Sequence, residues 1–451
     1  MAFKKDFAWG VATAAYQIEG GWNEGGRGES IWDVFCHERG RIKEGATGDV
    51  ACDHYHRFRE DVRLMKELGI KAYRFSLSWS RIFPKGEGEV SADGVRFYNE
   101  LIDALLENGI EPYITLYHWD LPHALYQKGG WLSEESIGWF ANYAAKVAEL
   151  FSDRVQYFIT FNEPQCFIGS AHLVGKQAPG LKVGLRDVFQ MAHNVLKAHG
   201  AAVKAMRAAA VRPIKLGIAP TCSAHYPVTE TAENIEAARQ KFFACPGFEV
   251  VNLLWSVSWW SDPVFFGRYP EDGLRLYKDY LPEITDEDMA LISQPIDFYG
   301  QNIYNGKPVR AGEDGKPEFV PRKQGYGLTS LGWPVTPEAL RWGPRFLYER
   351  YKLPVFITEN GMSAHDTVSL DGKVHDPNRI DFLHRYLLEL EKATEDGADI
   401  GGYFQWSFMD NFEWAEGYGP RFGLVYVDYE TQQRIPKDSA YWYKTWIENH
   451  T

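Results

Sequence analysis

Unbroken apolar runs recur along the chain, for example Tyr157-Phe158-Ile159-Thr160-Phe161 and Val355-Phe356-Ile357. A strand with one solvated face alternates apolar and polar residues. Runs without that alternation belong to strands covered on both faces, as in parallel sheets flanked by helices. The pattern predicts strands over 7–12, 71–79, 111–119, 155–162, 214–221, 296–304, 354–359 and 401–408. Between them lie amphipathic stretches with the helical spacing of apolar positions, over 53–69, 93–109, 136–151, 185–208, 336–351, 377–397 and 436–449. The first two stop at a glycine, a C-cap signal. Eight strands alternating with helices predict an α/β chain folded as a (β/α)8 TIM barrel. A doubly wound open sheet is the alternative, but it usually has fewer strands and a glycine-rich phosphate loop.

The long stretches without either pattern are 20–51, 245–282, 305–334 and 417–434, which follow strands 1, 5, 6 and 8. Loops after strands form the active-site face of a barrel, so these segments are expected to wall a deep pocket. No linker, composition break or low-complexity run interrupts the 451 residues, so residues 1–451 are expected to form one domain.

Composition narrows the partners. The net charge is -13 and no basic stripe is present, which argues against nucleic acid and anionic membrane surfaces. No run reaches the ~18 apolar residues that a membrane span requires. The opening Met1–Gly10 segment has lysines but no apolar core after them, so no secretion signal is read and a cytoplasmic location is expected. Cys36, Cys52, Cys166, Cys222 and Cys245 are scattered, with no Cys-x-x-Cys, and read as reduced thiols. The 16 tryptophans, beside 25 Tyr and 27 Phe, mostly serve a large aromatic core. Indoles also stack on the apolar C–H faces of sugar rings, so the excess suits a carbohydrate cleft.

The candidate chemistry sits at strand ends: Gln17 after strand 1; Arg74 and Trp79 on strand 2; His118-Trp119 on strand 3; Asn162-Glu163 on strand 4; Asn302-Ile303-Tyr304 on strand 6; Glu359-Asn360 on strand 7; and Gln405-Trp406 on strand 8, with Glu413-Trp414 shortly after. Any one strand-end Asn or His is more often structural than functional. A barrel brings all of these ends to one face, and a carboxylate leaving water there must be paired. Two glutamates ending two parallel strands suggest a carboxylate pair facing each other across a sugar.

These segments carry a resemblance that covers essentially the whole chain. Phe7-Ala8-Trp9-Gly10 through Gly20, Tyr73-Arg74-Phe75-Ser76, Leu116-Tyr117-His118-Trp119-Asp120, Asn162-Glu163-Pro164, Thr358-Glu359-Asn360-Gly361 and Trp406-Ser407-Phe408 through Trp414 resemble glycoside hydrolase family 1, the retaining β-glucosidases and β-galactosidases. The resemblance implies that Glu359 is the nucleophile and Glu163 the general acid/base, with Arg74 near Glu359 favouring its ionised form. It implies Gln17, His118, Asn162, Glu413 and Trp414 as partners of the sugar hydroxyls, with Asn162 at the 2-hydroxyl, and Trp406 as the stacking floor. Trp119 joins this substrate-binding set. Tyr304, supported by Asn302, is implied as a partner of the nucleophile. Trp333 is implied on the aglycone side, with Phe422 as a far wall. Cys166, His172 and Leu173 read as ordinary packing.

The implied substrates are terminal β-D-glucosyl residues, and β-D-galactosyl or β-D-fucosyl ones, on O-glycosides and on short oligosaccharides such as cellobiose. Glu413 disfavours a 6-phosphate, and an intact Glu163 favours O-glycosides over thioglycosides. No cofactor or metal is expected; small-molecule β-glycosides are the expected partners. Two other readings compete. One is a metal-dependent barrel hydrolase using the His54-Tyr55-His56 pair; the other is a non-catalytic sugar-binding barrel.

Overall fold

A computed structural model describes residues 3–247 and 254–451 of the chain. Met1 and Ala2 of the N-terminal segment, and residues 248–253 of the stretch predicted to be irregular over 245–282, lie outside the described residues. The strands in chain order are β1 (Ala8–Ala12), β2 (Ala72–Ser76), β3 (Glu111–Tyr117), β4 (Tyr157–Asn162), β5 (Lys215–Ala219), β6 (Thr221–Pro227), β7 (Phe298–Ala311), β8 (Pro317–Phe319), β9 (Val355–Asn360) and β10 (Ile400–Trp406). A small antiparallel pair, β11 (Val425–Val427) and β12 (Arg434–Pro436), follows them.

Eight strands pair in parallel around a ring. β1 through β5 follow one another, β5 pairs with β7 at Gly217↔Phe298, and β7, β9 and β10 return to β1 at Ala8↔Gly402. This is the (β/α)8 barrel that the apolar runs predict. The helices form its outer layer with their apolar stripes inward. Ala92–Glu107 buries Phe97, Tyr98, Leu101, Ile102 and Leu105, and its N-cap Ser91 accepts from the Gly94 amide. Gly69 and Gly109, read from sequence as helix stops, follow the helix ends with φ of 72° and 71°, the left-handed conformation that glycine adopts without strain.

The differences from the predicted pattern have local causes. The fifth predicted strand splits at Pro220 into β5 and β6, because proline offers no N–H to the ladder. Strand 2 stops at Ser76, and Trp79 instead opens a short helix, stacked on Tyr143 and away from the cleft. The stretches predicted to be irregular contain further elements. Ile31–His37 is a helix with a Ser30–Asp33 capping box, and Val257–Phe266 and Glu271–Tyr277 are helices. β7 also runs on to Ala311 and turns back into β8. Val257–Phe266 has no apolar stripe to read, since Val257 through Val264 are all buried. The helices Ala232–Phe243 and Asp286–Ile292, likewise absent from the predicted pattern, also lie between β5 and β7.

Candidate active site

Irregular register near the C-terminal strand ends sets the site. The β4–β5 ladder shifts between Ile159 and Asn162, and the β7–β9 ladder shifts before Asn302↔Glu359. Such shifts re-aim side chains at a barrel rim. Glu163 sits just past β4 with φ 47° and donates its amide to Ala219 O at 2.8 Å. Trp119 and Trp414 also have left-handed backbones, with φ of 79° and 50°. Strain of this kind persists where surrounding structure over-determines it, and it clusters at functional sites. Gly361 permits the approach of β10, since a Cβ there would meet Trp406 O at 1.8 Å.

Glu163 and Glu359 are both buried and are joined through Asn302, Asn162 and Arg74. Asn302 Nδ2 donates to Glu163 Oε1 at 2.7 Å and to Asn162 Oδ1 at 3.0 Å. Arg74 Nη1 donates to Glu359 Oε1 at 2.6 Å, and the Tyr304 hydroxyl donates to Oε2 at 2.7 Å. Arg74 Nη2 donates to Asn162 Oδ1 at 2.6 Å. The structure thus brings Arg74, Asn162, Glu163, Asn302, Tyr304 and Glu359 into one network. Asn302, expected in support of Tyr304, instead holds Glu163. Cys166, read from sequence as packing, donates its thiol to Glu163 Oε2 at 3.1 Å. Its position three residues after Glu163, on a helical turn, is the one signal that could have found it.

Around this pair stands an aromatic wall. Trp414 stacks on Trp119 with centroids 4.6 Å apart, and His118 stacks on Trp406 at 5.7 Å. Trp119 is pinned by its Nε1–H to Asn162 O. Trp333 packs edge-on to Tyr304 at 5.2 Å and lies 5.9 Å from Phe422. The cavity they enclose is about 350 Å³, lined by both glutamates, His118, Trp119, Cys166, Tyr304, Trp333, Trp406, Glu413, Trp414 and Phe422. The loop bearing Glu413 and Phe422 is locked from beneath: Asp410 accepts from Lys437 Nζ and Arg421 and from the Gly423 amide.

Several polar atoms here have no partner among the described residues. Gln17 spends its Nε2 on Asn411 and Phe412 O, leaving Oε1 as a free acceptor. His118 Nε2 meets Asn162 Nδ2 at 3.0 Å, so Nε2 accepts and the proton sits on Nδ1, itself unpartnered. Burial, reinforced by the Arg74 charge, holds His118 well below its usual range and so neutral. Glu413 Oε2 is likewise unpartnered. Buried polar atoms rarely go unmatched in a protein interior, and these offer both an acceptor and a donor to a polyhydroxyl ligand.

Burial pushes all three carboxyls up. Glu163 rises to about 7, helped by the charge of Glu359 and opposed by Asn302, Cys166 and Arg74. Glu413 rises to about 8, with Glu359 and Glu163 acting in the same direction. Burial also raises Glu359 above its ordinary value, against the pull of Arg74, Tyr304 and Asn302. Arg74 pulls Glu359 toward its ionised form, the direction expected, and burial opposes it. Where two carboxyls share a site, one proton is favoured between them. The fixed guanidinium at Glu359 directs that proton to Glu163.

Other strand-end residues turn to structural work. Asn360 bonds Ile303 O and Tyr403, and Gln405 bonds Trp406 O and Tyr403. His54 bonds Asp61, and His56 bonds Asp53 and Glu24, so both histidines of the candidate metal pair are engaged by carboxylates on the outer layer.

A family model described as glycosyl hydrolase family 1 matches residues 1–451. Beta-glucosidase A of Thermotoga maritima is 46% identical over 99% of this chain and 98% of its own length. Beta-glucosidase A of Acetivibrio thermocellus is 45% identical over 100% and 99%. The Thermotoga maritima beta-glucosidase in complex with galacto-hydroximolactam superimposes with a TM-score of 0.89, at 46% identity, over 99% of this chain and 98% of that one.

Proposed function

The chain belongs to glycosyl hydrolase family 1 and is a β-glucosidase, and we propose that it removes terminal non-reducing β-D-glucosyl residues from O-glycosides by double displacement. Glu359 is the nucleophile and Glu163 the acid/base. The observation that carries this reading is a pair of buried carboxyls lining one cavity and joined through Arg74, Asn162 and Asn302, with the guanidinium on Glu359. Retention requires carboxyls about 5–5.5 Å apart across the scissile bond. In the first step Glu359 bonds the anomeric carbon, the glycosidic C–O bond breaks, and the Glu163 proton passes to the leaving oxygen. Neutralising Glu359 removes the repulsion that adds to burial in raising Glu163. Glu163, now a carboxylate, takes a proton from water, whose oxygen bonds the anomeric carbon as the bond to Glu359 breaks.

The unpartnered atoms of Gln17, His118 and Glu413 supply the hydroxyl contacts, Trp406 the apolar floor, and the second Asn162 N–H the 2-hydroxyl contact. The galacto-hydroximolactam complex of the Thermotoga relative supports extending the substrates to β-galactosides, and β-fucosides and cellobiose follow from the same contacts. No lysine or arginine lines the pocket among the described residues, which disfavours a 6-phosphate even where Glu413 is protonated. Residues 1–451 act as one catalytic domain, and the five free cysteines fit a reducing, cytoplasmic setting.

Incubation with a 2-deoxy-2-fluoro aryl β-glucoside tests the mechanism. Intact mass is expected to rise by one fluoroglucosyl group, and proton NMR is expected to show β-glucose as the first product of hydrolysis. A first product in the α form overturns the double displacement.

A further inference from the structure

A second cavity of about 610 Å³ adjoins the sugar pocket, sharing Ser170, Gln177, Cys222, Ser223 and Trp255 with it. Sheet periodicity builds its outer wall. His225 of β6 lies opposite Lys307 of β7, and Phe319 of β8 lies opposite Val309, two residues further along β7. Residues two apart on a strand share a face, so Lys307 and Phe319 come together. The helix Ala232–Phe243 adds Lys241. The ammonium groups of Lys241 and Lys307 lie 4.9 and 5.2 Å from the same Phe319 ring centre, and Lys176 stands on the same cavity.

The local charge here has the opposite sign to the chain as a whole. The chain carries -13 overall, yet no aspartate or glutamate lines this cavity among the described residues. Other cations at the surface pair with carboxylates, such as Arg59 with Glu100 and Lys128 with Glu87, whereas Lys176, Lys241 and Lys307, gathered on one cavity, have no ion pair among the described residues. Two of them converge on one ring. His225 adds no charge, because burial pushes it down to about 3 and both lysines push the same way. Like charges gathered without counter-ions favour an anion from solution. Trp255, 39% exposed, lines both cavities, and Phe319, 45% exposed, lines the groove.

We propose that this groove binds the far end of the aglycone, and that it selects aryl β-glucosides whose aromatic aglycone carries a carboxylate. The inference rests on the hydrolytic reading above. The glycosidic oxygen would lie between Glu163 and the shared lining residues, the aglycone ring along Trp255, and the carboxylate among Lys176, Lys241 and Lys307.

The test compares the β-glucoside of 4-hydroxycinnamate with that of its methyl ester, using 4-nitrophenyl β-glucoside as a neutral control. The acid is expected to exceed the ester in kcat/KM by about fivefold, the scale of a few exposed charge contacts. The difference should lie in KM and fade as salt screens it. The double variant Lys241→Gln with Lys307→Gln should erase the preference and leave the nitrophenyl rate unchanged. An ester cleaved as well as the acid overturns the proposal, as does a preference that survives the double variant. Calorimetric titration of free 4-hydroxycinnamate against its methyl ester reads the groove without turnover. Tighter binding of the acid, lost in the double variant, supports the proposal; equal binding overturns it. Failure to hydrolyse any glucoside would overturn the catalytic reading instead.

Discussion

The two ends of the cleft are built on opposite rules. At the sugar end Arg74, Asn162 and Asn302 are buried and tied to one another and to the two glutamates. In the adjoining groove Lys176 and Lys307 are exposed and Lys241 half-buried, and among the described residues none of the three has a carboxylate partner; Lys241 and Lys307 meet the Phe319 ring. A bond-making centre must hold its groups within a fraction of an ångström, and locked partners achieve that. A groove for the departing half of the substrate needs only attraction, which solvated lysines and exposed rings supply. The difference teaches where substitutions should be catastrophic and where they should only shift preference.

The contrast is broken most severely at Glu359. Glu359→Ala is expected to lower kcat by ~10⁴-fold or more, and a small added anion should restore part of the rate with inverted anomeric configuration, as read by NMR of the first product. Unaltered turnover would remove Glu359 from the nucleophile role. Glu163→Ala should cost ~10²–10⁴-fold on poor leaving groups and much less on activated aryl glucosides; equal losses on both would take Glu163 out of the acid role. Because Glu163 must be protonated and sits near 7, kcat/KM of the intact enzyme should fall as pH rises through about 7.

Glu413 sharpens the comparison through stability. Its folded value, about 8, lies above the ordinary 4.5, so the folded state holds the proton more tightly. Its unfavourable contribution is absent below the unfolded value and grows as pH rises toward 8. Glu413→Gln should therefore raise the melting temperature at pH 8–9, by the equivalent of ~2–4 kcal/mol, with no gain near pH 4. It should also weaken sugar binding. A gain independent of pH would show that Glu413 is not a strained acid. The smallest expected effect is the roughly fivefold acid-over-ester preference of the lysine groove.

Much of the molecule is legible in the residues. The apolar runs locate each barrel strand, because burial on both faces leaves no room for alternation. Glycines at 69 and 109 stop their helices where read. What misled the pattern was short or buried all round, as in Val257–Phe266, or depended on a ladder interrupted by Pro220. Trp79, Asn360 and Gln405 share the residue types of the site yet face elsewhere. A strand end gives proximity to the rim, not the direction of a side chain.

The sequence by itself determined the barrel and which residues cluster at its rim, because periodicity and strand-end chemistry are local properties. Tertiary structure alone decided that Asn302 holds Glu163 across 139 residues. It alone decided that a thiol meets Glu163, that burial raises three carboxyls together, and that scattered lysines form one groove. Each of these depends on distances between remote strands and on the exclusion of water, which no single stretch of chain encodes.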